Sequence, residues 1–277
     1  MLFRSGHGPF GHAGELELDA RMAEHGGGGF NHNEHSLRVV ELLEHPYPAF
    51  RGLNLTLAVR AGLARHSGAH DRPGSHRLAD GLAGTLEGQA ASLADRIAYN
   101  GHDIEDGLAA GLIVESDLMG VGLWAEASAG VRGRWGESSV LAVRRPILDR
   151  MLARVLEDVS MTTLGALASA GIRTSSDAVA HGRPLVGMSA SMASAVGALE
   201  GLLWSRVYGH ASVAAMDARG RRMVGALFEA YVRRPELMPS RFASRVADQG
   251  VARVVCDYVA GMTDRYCEGA YEGMGGG

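Results

Sequence analysis

The sequence predicts an all-α fold, and three observations carry that prediction. Apolar residues recur at helical rather than alternating spacing, as at Leu37, Val40 and Leu43 or at Val224, Leu227, Phe228 and Tyr231, the period that lays one apolar stripe along a helix. No pair of segments alternates apolar and polar residues as half-buried strands do. Breaker residues gather between the periodic segments, at His45-Pro-Tyr-Pro48, Ala69-His-Asp-Arg-Pro-Gly74 and Arg233-Arg-Pro-Glu-Leu-Met-Pro239, where proline and glycine end regular structure.

Taken in order, helices are expected from about Glu15 to His25, Asn33 to Glu44, Asn54 to His66, Leu86 to Leu112, Pro146 to Asp158, Met192 to Tyr208, Ser212 to Arg233 and Gly250 to Cys267. Asn33 and Asn54 each precede an apolar-periodic segment and read as N-caps, where a short side-chain oxygen satisfies a free backbone N–H. Arg65-His66 followed by Ser67-Gly68 reads as a helix end, with basic residues in the last turn and a glycine beyond it. The stretch from about Glu115 to Gly187 is rich in small residues and carries no motif. With no repeat and no clear linker, residues 6–270 are expected to form a single helical domain and 271–277 a flexible tail.

Composition sets limits on function. The 277 residues carry a net charge of −4, so there is no uniform basic field and any nucleic-acid contact needs a local patch. Cys256 and Cys267 are the only cysteines; they match no zinc-ribbon spacing and no disulfide framework, which fits a reducing cytoplasm. No export signal is seen, and the small-residue run Leu185 to Trp204 is broken by Glu200, so no membrane span or membrane partner is expected. Glycine makes up 39 of the 277 residues, about 14 % against a usual share of about 7 %, part of it in the Gly26–Gly29 run and the Gly275–Gly277 tail, both expected to be flexible. Gly26–Gly29 is no P-loop, because no Lys-Ser/Thr follows it.

The chemistry-bearing residues begin with Asp95, Tyr99 and Asp103, spaced four apart in Leu93-Ala-Asp-Arg-Ile-Ala-Tyr-Asn-Gly-His-Asp103 and so on one face of a helix. The opening Gly6-His-Gly-Pro-Phe-Gly-His-Ala-Gly-Glu15 is a second concentration, and Phe30-Asn-His-Asn-Glu-His35-Ser-Leu-Arg a third. Histidines and carboxylates gathered in this way can bind and move protons near neutral pH. His25, His32 and His35 lack an established zinc-ligand spacing. Leu203-Trp-Ser-Arg-Val-Tyr-Gly-His210 and Val255-Cys-Asp-Tyr-Val-Ala-Gly-Met-Thr-Asp-Arg-Tyr266 are the remaining distinctive segments.

Together these segments resemble the deoxynucleoside triphosphate triphosphohydrolases of the HD phosphohydrolase superfamily, the deoxyguanosinetriphosphate triphosphohydrolase-like proteins, from Gly6 to about Cys267. The resemblance implies an HD-type multi-helix fold and hydrolysis of a deoxynucleoside triphosphate to deoxynucleoside and triphosphate. It makes His12, Glu15 and His32 catalytic. His7, Arg96, Tyr99, Asp103, Tyr208 and His210 become substrate-binding, with Tyr99 and Asp103 at the sugar, Arg96 and His210 at phosphates and Tyr208 at the base. Asp95 becomes a ligand of a divalent metal ion, magnesium, manganese or a similar one. A homo-oligomer and a nucleotide or single-stranded DNA effector follow from the resemblance alone.

One departure stands out. In the family the opening segment reads His-Asp-Leu-Gly-His-x-Pro-Phe-Gly-His, whereas Phe3-Arg4-Ser5 stands here in place of His-Asp-Leu. Leu2-Phe3-Arg4-Ser5 is also what a common sequencing-adapter end encodes. The expectation is therefore a foreign leader over residues 1–5 on an N-terminally incomplete HD fold, inactive as it stands. The alternative is a natural, non-catalytic nucleotide-binding member that has lost its metal site.

Overall fold

The computed structural model describes residues 6–65, 84–136 and 138–275, with Trp135 by its backbone alone. The expected leader at 1–5, the loop Ala69–Gly74 and the helix end His66–Gly68 lie outside those residues. Among the described residues every regular element is helical, as the apolar period predicts. In chain order they are α1 (Gly11–Glu24), α2 (His32–Arg38), α3 (Leu57–Arg65), α4 (Leu86–Ala109), α5 (Glu115–Met119), α6 (Gly122–Trp135) and α7 (Val140–Ala170). These are followed by α8 (Ser175–Ala180), α9 (Ala190–Leu203), α10 (Ala211–Arg233), α11 (Ser240–Ala243), α12 (Val246–Gln249), α13 (Val251–Ala260) and α14 (Asp264–Gly273). Among the described residues no helix is long and apolar enough to cross a membrane.

The chain divides into two compact units. The first contains residues 6–65 and 215–275 and is built around α1, packed on α13. Its core joins Leu18 and Met22 of α1, Phe30, Val224, Leu227 and Phe228 of α10, and Val254, Val255 and Val259 of α13. Cys256 and Cys267 are free and buried here, and burial pushes each thiol up to about 12. The Gly26–Gly29 run, expected to be flexible, is tied down by Arg253, whose Nη2 donates to the carbonyls of Gly27 and Gly29 at 3.1 and 3.0 Å.

The second unit contains residues 84–136 and 138–214. Helix α7 packs on α6 and α4, and α4 also packs on α9, burying Trp124, Ile104, Ile147, Met151, Val196 and Leu203. The stretch from about Glu115 to Gly187, featureless as a sequence, is the body of this unit.

Several boundaries differ from the sequence reading, each for a local reason. The N-cap of α2 is Asn31, whose side chain accepts from the N–H groups of Asn33 and Glu34 at 2.9 and 3.3 Å, not Asn33. Asn54 sits in the left-handed region at φ 54° and does not cap α3. Pro146 lies inside α7 rather than opening it; the helix starts a turn and a half earlier, and Val143 and Ile147 point into the core. The segments after α2 and α9, Val39–Leu43 and Trp204–Tyr208, wind as π-turns. The last expected helix is two, because α13 ends at Ala260 with Gly261 as its C-cap and Thr263 caps α14, its hydroxyl accepting from the N–H of Tyr266 at 3.2 Å. Thr263→Ala is expected to cost about 1 kcal/mol, read as a lowered midpoint in thermal unfolding.

Candidate functional site

In the first unit, four of the predicted residues converge. The glycine-rich loop before α1 carries His7, α1 carries His12 and Glu15, and α2 carries His32. The loop runs hard against α2: a Cβ on Gly6 would lie 2.1 Å from the carbonyl oxygen of His32, and Gly6 is at φ 66°, so only glycine fits. The ring of His7 stacks on that of His32, centroids 3.8 Å apart and planes at 16°, and meets His12 edge-on at 4.9 Å.

Glu15 is the hub. Its carboxylate lies 3.0 Å from His32 Nδ1, 3.3 Å from His12 Nδ1 and 3.5 Å from His7 Nδ1, and it accepts the backbone N–H of His32 at 3.0 Å. An ionised carboxylate only accepts, so His12 and His32 present Nδ1–H to it and keep Nε2 on the far side of each ring. Burial raises the carboxyl of Glu15, but hydrogen bonds from His12, His32, His7 and the His32 backbone outweigh that and hold it well below the usual carboxylate range. The sign follows: the charged group contributes stability that is complete above its unfolded value near 4.5 and is lost only as pH falls through the depressed folded value. Glu15→Gln is therefore expected to flatten the acid limb of a stability-versus-pH curve below about pH 4.5. Accessibility separates the histidines, since the side chain of His12 is 55 % exposed and that of His32 only 1 %.

One donor atom from each of His7, His12 and Glu15 lies within 4.8 Å of the others, a spacing open to a metal ion. The imidazole Nδ1 atoms nearest the carboxylate are those it engages as hydrogen-bond or ion-pair partners, so ion binding through them and these contacts are alternatives.

Helix α2 is anchored by a pair that sequence reasoning missed. Arg38 donates from Nε and Nη2 to the fully buried carboxylate of Asp257 at 2.6 and 2.7 Å, and Arg245 reaches the same carboxylate at 3.4 Å. The signal was present in the sequence only as two motifs, Ser36-Leu-Arg38 and Cys256-Asp-Tyr258, with nothing to show that they pair. His35, between His32 and Arg38, is buried; desolvation lowers its pKa to about 4, with Asp257 raising it and Arg38 and Arg253 lowering it. A buried neutral histidine leaves the unfolded chain with the extra proton between about pH 6.5 and 4, so stability declines as pH falls through that window. His35→Gln should remove that part of the slope, as measured by urea unfolding at stepped pH.

The remaining predicted residues lie in the second unit. Asp95, Tyr99 and Asp103 share a face of α4 as their spacing predicts; Asp95 and Tyr99 are exposed and Asp103 is half-buried. Tyr208 donates its hydroxyl to the carboxylate of Asp103. Burial, with that contact, raises the Tyr208 phenol, and burial also raises the Asp103 carboxyl, partly offset by the Tyr208 hydrogen bond. Arg96, expected to be free for phosphate, makes a two-pronged contact with Glu200, 2.7 Å on each prong. His210 is exposed, its Nδ1 2.7 Å from Ser212 Oγ and accepting the Ser212 N–H at 3.3 Å. A different face of α4 lines an apolar cavity of about 180 Å³ with Leu148, Met151 and Val196, and none of the predicted site residues borders it.

Comparison with known proteins identifies the family. A model of the phosphohydrolase-associated domain matches residues 186–273. A deoxyguanosinetriphosphate triphosphohydrolase-like protein of Geobacter metallireducens is 38% identical over 263 residues, covering 94% of this chain and 68% of its own. Proteins with the same description from Caulobacter vibrioides and an Azoarcus species are 38% and 39% identical, again over 94% of this chain and over 70% and 69% of their own. This chain belongs to the deoxyguanosinetriphosphate triphosphohydrolase-like family of phosphohydrolases.

Proposed function

We propose that this chain carries the phosphate-facing and sugar-facing residues of a hydrolase that converts a deoxynucleoside triphosphate to deoxynucleoside and inorganic triphosphate. The single observation that carries this reading is the cluster centred on Glu15, with exposed His12 held by its Nδ1 and buried His32 behind it. In the proposed reaction the Nε2 of His12 delivers a proton to the departing 5′-oxygen, while the carboxylate of Glu15 stabilises the imidazolium and fixes its orientation. His32 keeps that carboxylate in place, and His7 is a phosphate contact. Tyr99 and Asp103 read the deoxyribose, the ring packing under C2′ and the carboxylate accepting from the 3′-hydroxyl. Arg96 meets phosphate only after exchanging its contact with Glu200, and Tyr208 and His210 serve the base and the distal phosphates.

By resemblance the reaction uses a divalent ion such as magnesium or manganese, held by two histidines and two aspartates. Asp95 is the matching aspartate, but Phe3 and Arg4 stand at the His-Asp pair, and one exposed carboxylate does not make that site. The chain is thus expected to bind manganese poorly and to release negligible triphosphate from dGTP. Robust manganese-stimulated release by the purified chain overturns this. The substitution at positions 3 and 4 equally favours the second reading, a nucleotide-binding protein without turnover. Supplying a His-Asp pair at positions 3 and 4 together with the family's other metal-binding histidine separates the two, because activity then appears only if the rest of the catalytic set is in place. A homo-oligomer, a nucleotide or single-stranded DNA effector and a cytoplasmic setting belong to the same proposal; the buried free thiols Cys256 and Cys267 agree with the last.

A further inference from the structure

The segment Val255–Tyr266 has no assigned role in binding or chemistry, yet one of its carboxylates reaches the histidine loop. Asp264, the first residue of α14, accepts the backbone N–H of Phe10 through Oδ1 at 3.1 Å, across 254 residues of sequence. Helix α14 does not depend on Asp264 for its cap, because the hydroxyl of Thr263 fills that place. Phe10 stands between His7 and His12 with φ 62° and ψ 25°, a left-handed conformation disfavoured for any residue with a Cβ. Such residues persist where their surroundings over-determine them. The Phe10 ring supplies the second restraint: it is seated on Gly220 of α10 so closely that a Cβ there would lie 2.7 Å from its Cγ.

We propose that Asp264 is a positioning residue: by clamping the peptide of Phe10 it holds the left-handed turn that brings His7 onto His32 and both His7 and His12 to Glu15. The turn is where the loop reverses into α1, so relaxing it moves His7 and the first turn of the helix together. That this bracing serves catalysis rests on the reading proposed above; that it sets the geometry of the histidines does not.

The test uses the whole chain with isotope-labelled histidine, observed by NMR. Asp264→Asn keeps a side-chain oxygen as acceptor and should retain the His7, His12 and His32 ring resonances and the His7–His32 ring contact. Asp264→Ala should shift those resonances and lose the ring contact, leaving His181 in the second unit unchanged. An acidic residue in the first turn also favours the helix dipole, but a role of that kind would affect the asparagine and alanine variants alike, and that result overturns the proposal. So does an alanine variant with unaltered histidine signals. Should Asp264→Ala fail to fold, Gly220→Ala decides: the added methyl displaces the Phe10 ring without touching Asp264, and it should perturb His7 and His12. Silence there shows that the Phe10 turn does not place them. If the histidines respond as described but the metal-complete chain lacks triphosphohydrolase activity, the proposed function fails and the bracing stands.

Discussion

Asp257→Ala is expected to destabilise the chain by about 3–5 kcal/mol, the usual cost of removing one partner of a buried ion pair. The carboxylate is fully buried and holds Arg38 by two hydrogen bonds and Arg245 by a longer contact. Its loss leaves guanidinium charges unbalanced, with Arg245 itself buried. The effect reaches the candidate site, because Arg38 closes the helix that carries His32. Urea unfolding measures it, and a loss below about 1 kcal/mol, the scale of an exposed pair, would show that the network is peripheral. Asp257→Asn, which keeps an acceptor but not the charge, should fall between the two.

The second large effect concerns chemistry. In a chain carrying a His-Asp pair in place of Phe3-Arg4 and the family's other metal-binding histidine, His12→Ala should lower kcat by about 10²–10⁴-fold, the range for loss of a general acid. KM and metal affinity should change little, since His12 acts on the leaving oxygen rather than on binding. Tyr99→Ala should act on selectivity instead, raising turnover of GTP relative to dGTP by making room for a 2′-hydroxyl. Full activity of the His12 variant would remove the assignment of the leaving-group acid while leaving the family membership untouched.

How much of this was legible in the sequence depends on the range of the interaction concerned. Helical periodicity is local, so the all-α class and the shared face of Asp95, Tyr99 and Asp103 could be read directly. The contact of His12 with Glu15 was expected from the family resemblance and not from spacing, because the first helix, expected to open near Glu15, starts at Gly11 and so includes His12. Partners far apart could not be read: the contacts of Phe10 with Asp264 and of Arg38 with Asp257 arise from packing, and no local pattern encodes them. The salt bridge that occupies Arg96 was missed for the same reason, since Glu200 lies 104 residues away. Boundaries failed where short-range chemistry has near-equivalent choices, as with Asn31 against Asn33 for the cap of α2. In the small-residue stretch after Glu115 only the middle of α7 was visible, and α6 was hidden because it has glycine and alanine where a periodic pattern needs larger apolar side chains.

The most direct test of the proposed reaction is isotope labelling of its products. The metal-complete chain is incubated with dGTP in ¹⁸O-water, and the products are read by ³¹P NMR and mass spectrometry. Attack at the α-phosphorus with His12 protonating the 5′-oxygen predicts deoxyguanosine without label and inorganic triphosphate carrying one ¹⁸O. Label in the nucleoside, or products of orthophosphate with dGDP or pyrophosphate with dGMP, would contradict it.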